Sequence, residues 1–445
     1  MNFRIIFAIT LLLLWPLSAG AVEVKRVVSP GGIEAWLVED HSNPIISLDL
    51  AFRGGAALDP EGKAGLAHMV ASTIDEGAGD LDSQSFQGQL DDLSIRLSFD
   101  ASLDQFSGSL RTLTENHKLA FEMLRLALSQ PRFDEEPVER IRAQILTGLS
   151  REEQDPNSIV RKTIQKLFFP AHAYGEPVSG SPETVAALTV EDLRGFVAQR
   201  FGRDQLVIGV VGDILPGDLA RLLDETFMVL PAKAGPRGLD EVQPAGSGEL
   251  IVIDKDIPQS VVAFGHGGIK RDDPDYYAAY VVNYVLGGGS FSSRLYEEVR
   301  EKRGLAYSVY SYLGPMDFSA LVMGGVATQN ARVAESLQLI RQEWQRMAEE
   351  GPTAEELSNA KTYLTGSFPL RLTSTGAVAG MLVGMQLADL GIDYLDRRND
   401  FIEAVDLEDA RRVARRIYQA DELSVVVVGR PEGVTPTRVA PGSKG

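Results

Sequence analysis

The 445-residue chain contains no cysteine. Disulfides, thiolate zinc sites and cysteine nucleophiles are therefore excluded, and the composition suits an exported protein that does without cross-links. Histidine is scarce as well. Only five are present, and His41, His117, His172 and His266 form no close pair that would read as a metal site. Positive charge is in deficit: 43 Lys and Arg face 62 Asp and Glu, a formal charge of −19. That balance argues against nucleic acid and anionic membranes as partners. Long apolar runs are missing beyond Ala21, so the mature chain is expected to be soluble and without a membrane span. The one exception is the start, MNFRIIFAITLLLLWPLSAGA. Arg4, the apolar run Ile5–Leu17 and the Ala19-Gly20-Ala21 box predict a secretory signal peptide, residues 1–21, and a periplasmic location; an uncleaved anchor is the alternative.

What is there reads as two α+β domains. From Val22, VEVKRVVSPGGIEAWLVED predicts a hairpin through Pro30-Gly31-Gly32, and IISLDLAFRGG alternates into a third strand. Helical spacing follows over 64–76, 83–93, 115–128 and 135–154, the last ended by Asp155-Pro156, with alternating strands at 94–98 and 106–113. FFPAHAYGEPVSGSPETVAAL reads as a loop, then 189–201 as a helix and 205–211 as a buried strand. The Pro- and Gly-rich stretch 231–249 is the expected linker. Beyond it the order repeats: Glu191-Asp192-Leu193 matches Glu408-Asp409-Ala410, Phe201 matches Tyr418, Gly212 matches Gly429, and Glu139 and Ala143 match Glu356 and Ala360, all 217 apart. The expectation is a tandem duplication into domains 22–230 and 250–434, each a largely antiparallel sheet covered on one face by helices, with 435–445 as a flexible tail.

The stretch GGGSFSSRLYEEVREKRGLAYSVYSY, 287–312, is the densest in chemistry. Ser292 or Ser293 is placed to N-cap a short helix that Gly304 ends, and Leu305–Tyr312 alternates as a strand with Leu305, Tyr307, Val309 and Ser311 on one face. A helix–Gly–strand corner brings Arg300 and Tyr307 together, two donors able to serve one carbonyl or carboxylate oxygen. By spacing alone the signal is weak, and the blander reading, an exposed Arg and a half-buried strand Tyr, is the one it favours. The stretch resembles the second-domain signature of insulinase/pitrilysin-type zinc peptidases, a family that includes the mitochondrial processing peptidase and the core subunits of the bc1 complex. The resemblance runs through nearly all of 22–434, including GLAH…EGAG and AYGEPVSGSPETV. It implies that Arg300 and Tyr307, the R-x6-Y pair, bind substrate beside a metal, with Gly287, Gly288, Gly289 and Ser290 letting the backbone approach the peptide.

The same resemblance exposes a loss. Catalytic members of the family carry H-x-x-E-H, two zinc ligands on one helix face with a Glu as general base. In GLAHMVASTIDEGAG, His68 holds the first position, but Ala71 stands at the Glu and Ser72 at the second His. The third ligand falls near Thr147–Leu149, where no Glu stands. Glu152 and Glu153 read as solvated charges before a turn, and Asp75 and Glu76 as helix-end residues without a catalytic partner. The implied protein has no metal or cofactor of its own and is inactive alone. It is expected to be the non-catalytic subunit of a heteromeric metallopeptidase, lending Arg300 and Tyr307 to unfolded peptides held by a homologous H-x-x-E-H subunit that carries the zinc. The alternative is a peptide-binding or structural scaffold of the same fold.

Overall fold

The computed structural model describes residues 23–439; the expected signal segment and the last residues of the tail lie outside them. Gly32, at φ +86°, lets the chain reverse between β1 (Lys25–Val28) and β2 (Glu34–Glu39), the predicted hairpin. With β3 (Ile45–Arg53), β4 (Arg96–Ala101), β5 (Gln105–Leu113) and β6 (Leu206–Gly212) they form a sheet in the order β1-β2-β6-β3-β5-β4. Every pairing in it is antiparallel except β2 with β6. The second half repeats the plan with β7 (Leu250–Ile253), β8 (Gln259–Gly267), β9 (Ala306–Pro315), β10 (Ala320–Gln329), β11 (Ser424–Val428) and β12 (Arg438–Val439). Their order is β12-β7-β11-β8-β10-β9, parallel at β12–β7 and β7–β11 and antiparallel elsewhere.

The repeat is visible in single residues. Gly212 and Gly429 end β6 and β11 at φ +141° and +147°. A Cβ on Gly212 would collide with the Ile45 carbonyl, and one on Gly429 with the Ser260 side chain, at the start of the neighbouring strand in each case. Helices Val190–Arg200 and Leu407–Ile417 keep the same offset.

Coverage of the sheets departs from the expectation of helices on one face only. Asp155 accepts from the Ser158 amide and Pro156 occupies the first turn, so the dipeptide that ends one helix also begins another, Pro156–Phe168. This helix leaves its own sheet and packs Val160, Ile164 and Leu167 among Ile251, Val426 and Val428 of the second one. Its counterpart, Thr375–Leu387, crosses the other way and packs Val378, Ala379, Leu382 and Met385 against Trp36 and Val211 of the first sheet. The central strands β6 and β11 are thus buried on both faces, which is why they read as continuous apolar runs. The predicted loop after Phe168 also contains a short helix, Pro182–Ala187, begun by a Ser181 capping box. Among the described residues no helix is long and apolar enough to cross a membrane.

Candidate functional site

Helix Leu66–Thr73 carries His68 and begins where the Asp59 carboxyl oxygens accept from the amides of Gly65, Leu66 and Ala67 at 3.0, 2.9 and 3.0 Å, while burial pushes this carboxyl up to about 7. His68 and Ser72, one turn apart, line a cavity of about 290 Å³ with Gln144, Gly148, Leu149, Glu152 and Ser179. The positions expected to hold a third ligand therefore do reach this cavity, as Gly148 and Leu149. Glu153 is exposed in the turn that follows, as expected, but Glu152 is only partly exposed. It closes helix Glu135–Glu152, faces the cavity and pairs with Lys162 at 2.8 Å.

These residues do not fit a zinc ion. Ala71 is buried in the core, and the Ser72 hydroxyl donates to the His68 carbonyl at 2.8 Å. Burial holds the His68 imidazole below its usual range, with Asp100 and Glu152 opposing, so the ring is neutral near pH 7. Among the described residues no three His, Asp or Glu side chains gather in metal-ligating geometry. Glu76 is held by Arg140 at 2.7 Å and by the Ser83 hydroxyl at 2.5 Å, a structural role.

Arg300 and Tyr307 do meet, by means of two backbone irregularities. The first is helical. After Ser293, whose carbonyl accepts from the Glu297 amide while its hydroxyl turns back to Ser290, the chain widens into a π-helical turn over Tyr296–Glu301. Gly304 ends it at φ +61°. The second is a β-bulge. Val309 faces Val326 and Ala306 faces Thr328, so one extra residue is inserted into β9 at Tyr307–Ser308. Strict alternation would bury Tyr307 with Val309 and Ser311; the bulge turns it outward to 83% exposure. The predicted face assignment fails at this residue for that reason.

The Arg300 guanidinium then lies 4.6 Å from the Tyr296 ring centroid, 5.0 Å from Tyr307 and 5.7 Å from Phe291. Of the acidic residues around it in sequence, Glu298 is engaged with Lys302 and Arg303 at 2.7 and 2.6 Å and Glu297 with Lys302 at 2.9 Å, and Glu301 pairs neither with Arg300 nor with another cation among the described residues. Among the described residues neither the Arg300 guanidinium nor the Tyr307 hydroxyl has a hydrogen-bond partner. Tyr307, Tyr310 and Tyr312 stand exposed along β9, which is the edge of its sheet.

The glycine tract divides. Gly287 is buried, and a Cβ there would lie 2.6 Å from the Ser311 amide nitrogen and 2.9 Å from Leu295. Asn283 fixes this contact, donating to the Ser311 carbonyl at 3.2 Å and accepting from its hydroxyl at 2.8 Å. Gly287 therefore serves packing and does not face a ligand. Gly288 and Ser290 are exposed and Gly289 partly so; Ser290 holds φ +47°, a strained value for a residue with a side chain.

Sequence reasoning missed the residues that hold this corner. Arg294, 5% exposed, donates twice to the Glu356 carboxylate at 2.6 Å and once to the Gly351 carbonyl at 2.9 Å. Glu356 in turn accepts from the Thr353 amide at the start of helix Ala354–Gly366. The available signal was Glu356 itself, matched to Glu139 by the repeat.

The two regions are built from different halves of the chain, and comparison with known proteins treats them accordingly. Residues 35–181 match the family model described as insulinase (peptidase family M16), and residues 187–364 match the one described as peptidase M16 inactive domain. A Helicobacter pylori protein named as the non-peptidase homolog YmxG is 30% identical over 82% of this chain and 84% of its own length. A Bacillus subtilis protein named as the uncharacterized zinc protease YmxG is 25% identical over 93% of this chain and all of its own. A crystal structure described as a peptidase M16 inactive domain from Pseudomonas fluorescens superposes with TM-score 0.86 at 26% identity, covering 93% of this chain and 99% of that one.

Proposed function

Because this chain belongs to the insulinase family, peptidase family M16, and lacks that family's metal-binding residues, we propose that it is the non-catalytic subunit of an exported two-part metallopeptidase. The partner is a homologous subunit with an intact H-x-x-E-H that holds zinc. This chain brings Arg300 and Tyr307, which donate to the substrate carbonyl as negative charge develops on it. An unfolded peptide adds as a strand to the free edge of β9, near Gly288, Gly289 and Ser290. In this reading the functional units are 22–230 and 250–434, joined by 231–249 and released from the signal segment on export. The observation that carries it is an arginine with no acidic partner among the described residues, beside an exposed tyrosine on an edge strand, in a chain with Ala71 at the general-base position and Ser72 at the second ligand position.

The test is a pull-down of the chain from the envelope fraction, with zinc analysis of each recovered protein and peptidase assay of the complex. A zinc-bearing homologue is expected in the eluate. Losing one carbonyl donor costs about 2.7–4 kcal/mol in transition-state stabilisation, so Arg300→Ala and Tyr307→Phe should each lower turnover roughly 100- to 1000-fold while leaving assembly intact. Full activity in both variants would remove the catalytic-support role. The second reading, a peptide-binding scaffold, is favoured by the non-peptidase naming of the Helicobacter relative. It requires that no peptidase co-purifies.

A further inference from the structure

The Arg300 guanidinium carbon lies over the rings of Tyr296, Tyr307 and Phe291. Glu297 and Glu298 are taken up by Lys302 and Arg303, Glu301 makes no ion pair among the described residues, and what surrounds the guanidinium is aromatic. Phe291 and Tyr296 meet edge to face, centroids 4.9 Å apart at 72°. An aromatic ring offers a π face and no lone pair, so neither ring takes up a guanidinium N–H as a full hydrogen-bond acceptor would. A carboxylate partner would have consumed two and neutralised the charge.

Phe291 otherwise has little structural reason to be aromatic. It is 77% exposed, so its ring contributes little to the core, and it follows Ser290, whose left-handed backbone turns the chain at this point. The Tyr296 ring is buried, and its hydroxyl has no hydrogen-bond partner among the described residues. The ring, and not the hydroxyl, is what meets Arg300.

We infer that Phe291 and Tyr296 are positioning residues, a π-clamp that fixes the Arg300 cation while leaving its in-plane donors open to a peptide oxygen. This rests on the reading of Arg300 as substrate-facing, and it identifies what orients that arginine. It also explains why the turn Gly289–Phe291 is built with a strained serine: the strain places the Phe291 ring over the guanidinium.

The clamp is testable on the full chain without any partner. Phenylglyoxal attacks the neutral guanidine, and a ring that stabilises the cation slows the attack by the corresponding factor. At an exposed site that factor is about two- to five-fold per ring. Rates of modification at Arg300 would be measured by peptide mass spectrometry against Arg111, an exposed arginine on β5, as internal reference. Phe291→Leu, which keeps bulk and loses the ring, should speed modification of Arg300 about two- to five-fold with no change in melting temperature. Phe291→Trp and Tyr296→Phe should both retain the wild-type rate or slow it. Equal rates in the wild-type and Leu proteins, or equal acceleration in the Leu and Trp proteins, would overturn the clamp. The two readings fail separately. If labelling responds as stated but Arg300→Ala leaves turnover unchanged, the clamp stands and the peptidase role falls; the converse outcome removes the clamp alone.

Discussion

Glu356→Ala should cost this protein more stability than any surface ion pair would, and the amount follows from what is left behind. Arg294 is almost fully buried and its carboxylate partner supplies two hydrogen bonds at 2.6 Å. Removing one member of a buried pair strands a desolvated charge, typically at about 3–5 kcal/mol. Two adjustments act in opposite directions. The Glu356 side chain is 28% exposed, and the Gly351 carbonyl retains one bond to Arg294, so water and backbone relieve part of the loss. Against that, the Thr353 amide loses its acceptor, a cap of about 0.5–2 kcal/mol. The net expectation is about 3–4 kcal/mol. At roughly 2–4 °C per kcal/mol for a domain of this size, calorimetry should show the second half melting about 6–16 °C earlier. Burial alone would raise the Glu356 carboxyl, but Arg294 and the Thr353 amide outweigh it and hold it below the usual range. The contribution is therefore present above the ordinary glutamate pKa and lost as pH falls through the depressed one, so the gap between wild type and variant should narrow in acid. Replacing both residues, Arg294→Met with Glu356→Leu, should recover most of the loss, since a buried pair exchanged for apolar groups is close to neutral. A loss below about 1 kcal/mol in the single variant, or a double variant as unstable as the single one, would refute this account of what anchors the Arg300 turn.

Two further perturbations probe neighbouring features. Gly287→Ala would push a methyl group into the Ser311 amide and Leu295, and should destabilise by roughly 1–3 kcal/mol while loosening the turn beneath Arg300; a urea midpoint within error of wild type would count against the packing role. Asp49 lies on β3 near Gly380 of the crossing helix Thr375–Leu387, and burial pushes its carboxyl up to about 6. A raised folded pKa means stability is lost as pH rises from the usual aspartate range through about 6. Asp49→Asn should therefore stabilise at pH 8 by on the order of 1 kcal/mol, discounted for partial exposure, and be near neutral at pH 4, and urea titrations at the two pH values would show a constant difference if the argument is wrong.

Much of the architecture was legible because it is written twice. A constant offset linking Gly212 to Gly429 and Glu191 to Glu408 carries the duplication, and the alternation in β5 and the apolar run of β6 mark two strands from sequence alone. The zinc positions were equally readable, since H-x-x-E-H is a spacing on one helix face. What escaped was non-local or non-periodic. Nothing in the period of residues 156–168 says that their apolar face belongs to the other sheet, although Asp155-Pro156 is as good a helix start as it is a stop. The bulge at Tyr307 breaks the period of two within a strand, so a rule built on that period puts this residue on the wrong face. Arg294 reads as one more charge on an amphipathic turn, and only the fold shows that it is buried against Glu356.

The two crossing helices have a consequence for motion. Each half is roofed by a segment whose chain neighbours belong to the other, so swinging the halves apart would strip Val160 and Ile164 from one roof and Leu382 and Met385 from the other at the same moment. A protein fastened in this reciprocal manner cannot gape like a clam shell along its own linker. On the function proposed above, a peptide reaching β9 would then enter between this chain and its partner subunit, and not through an opening between the two halves.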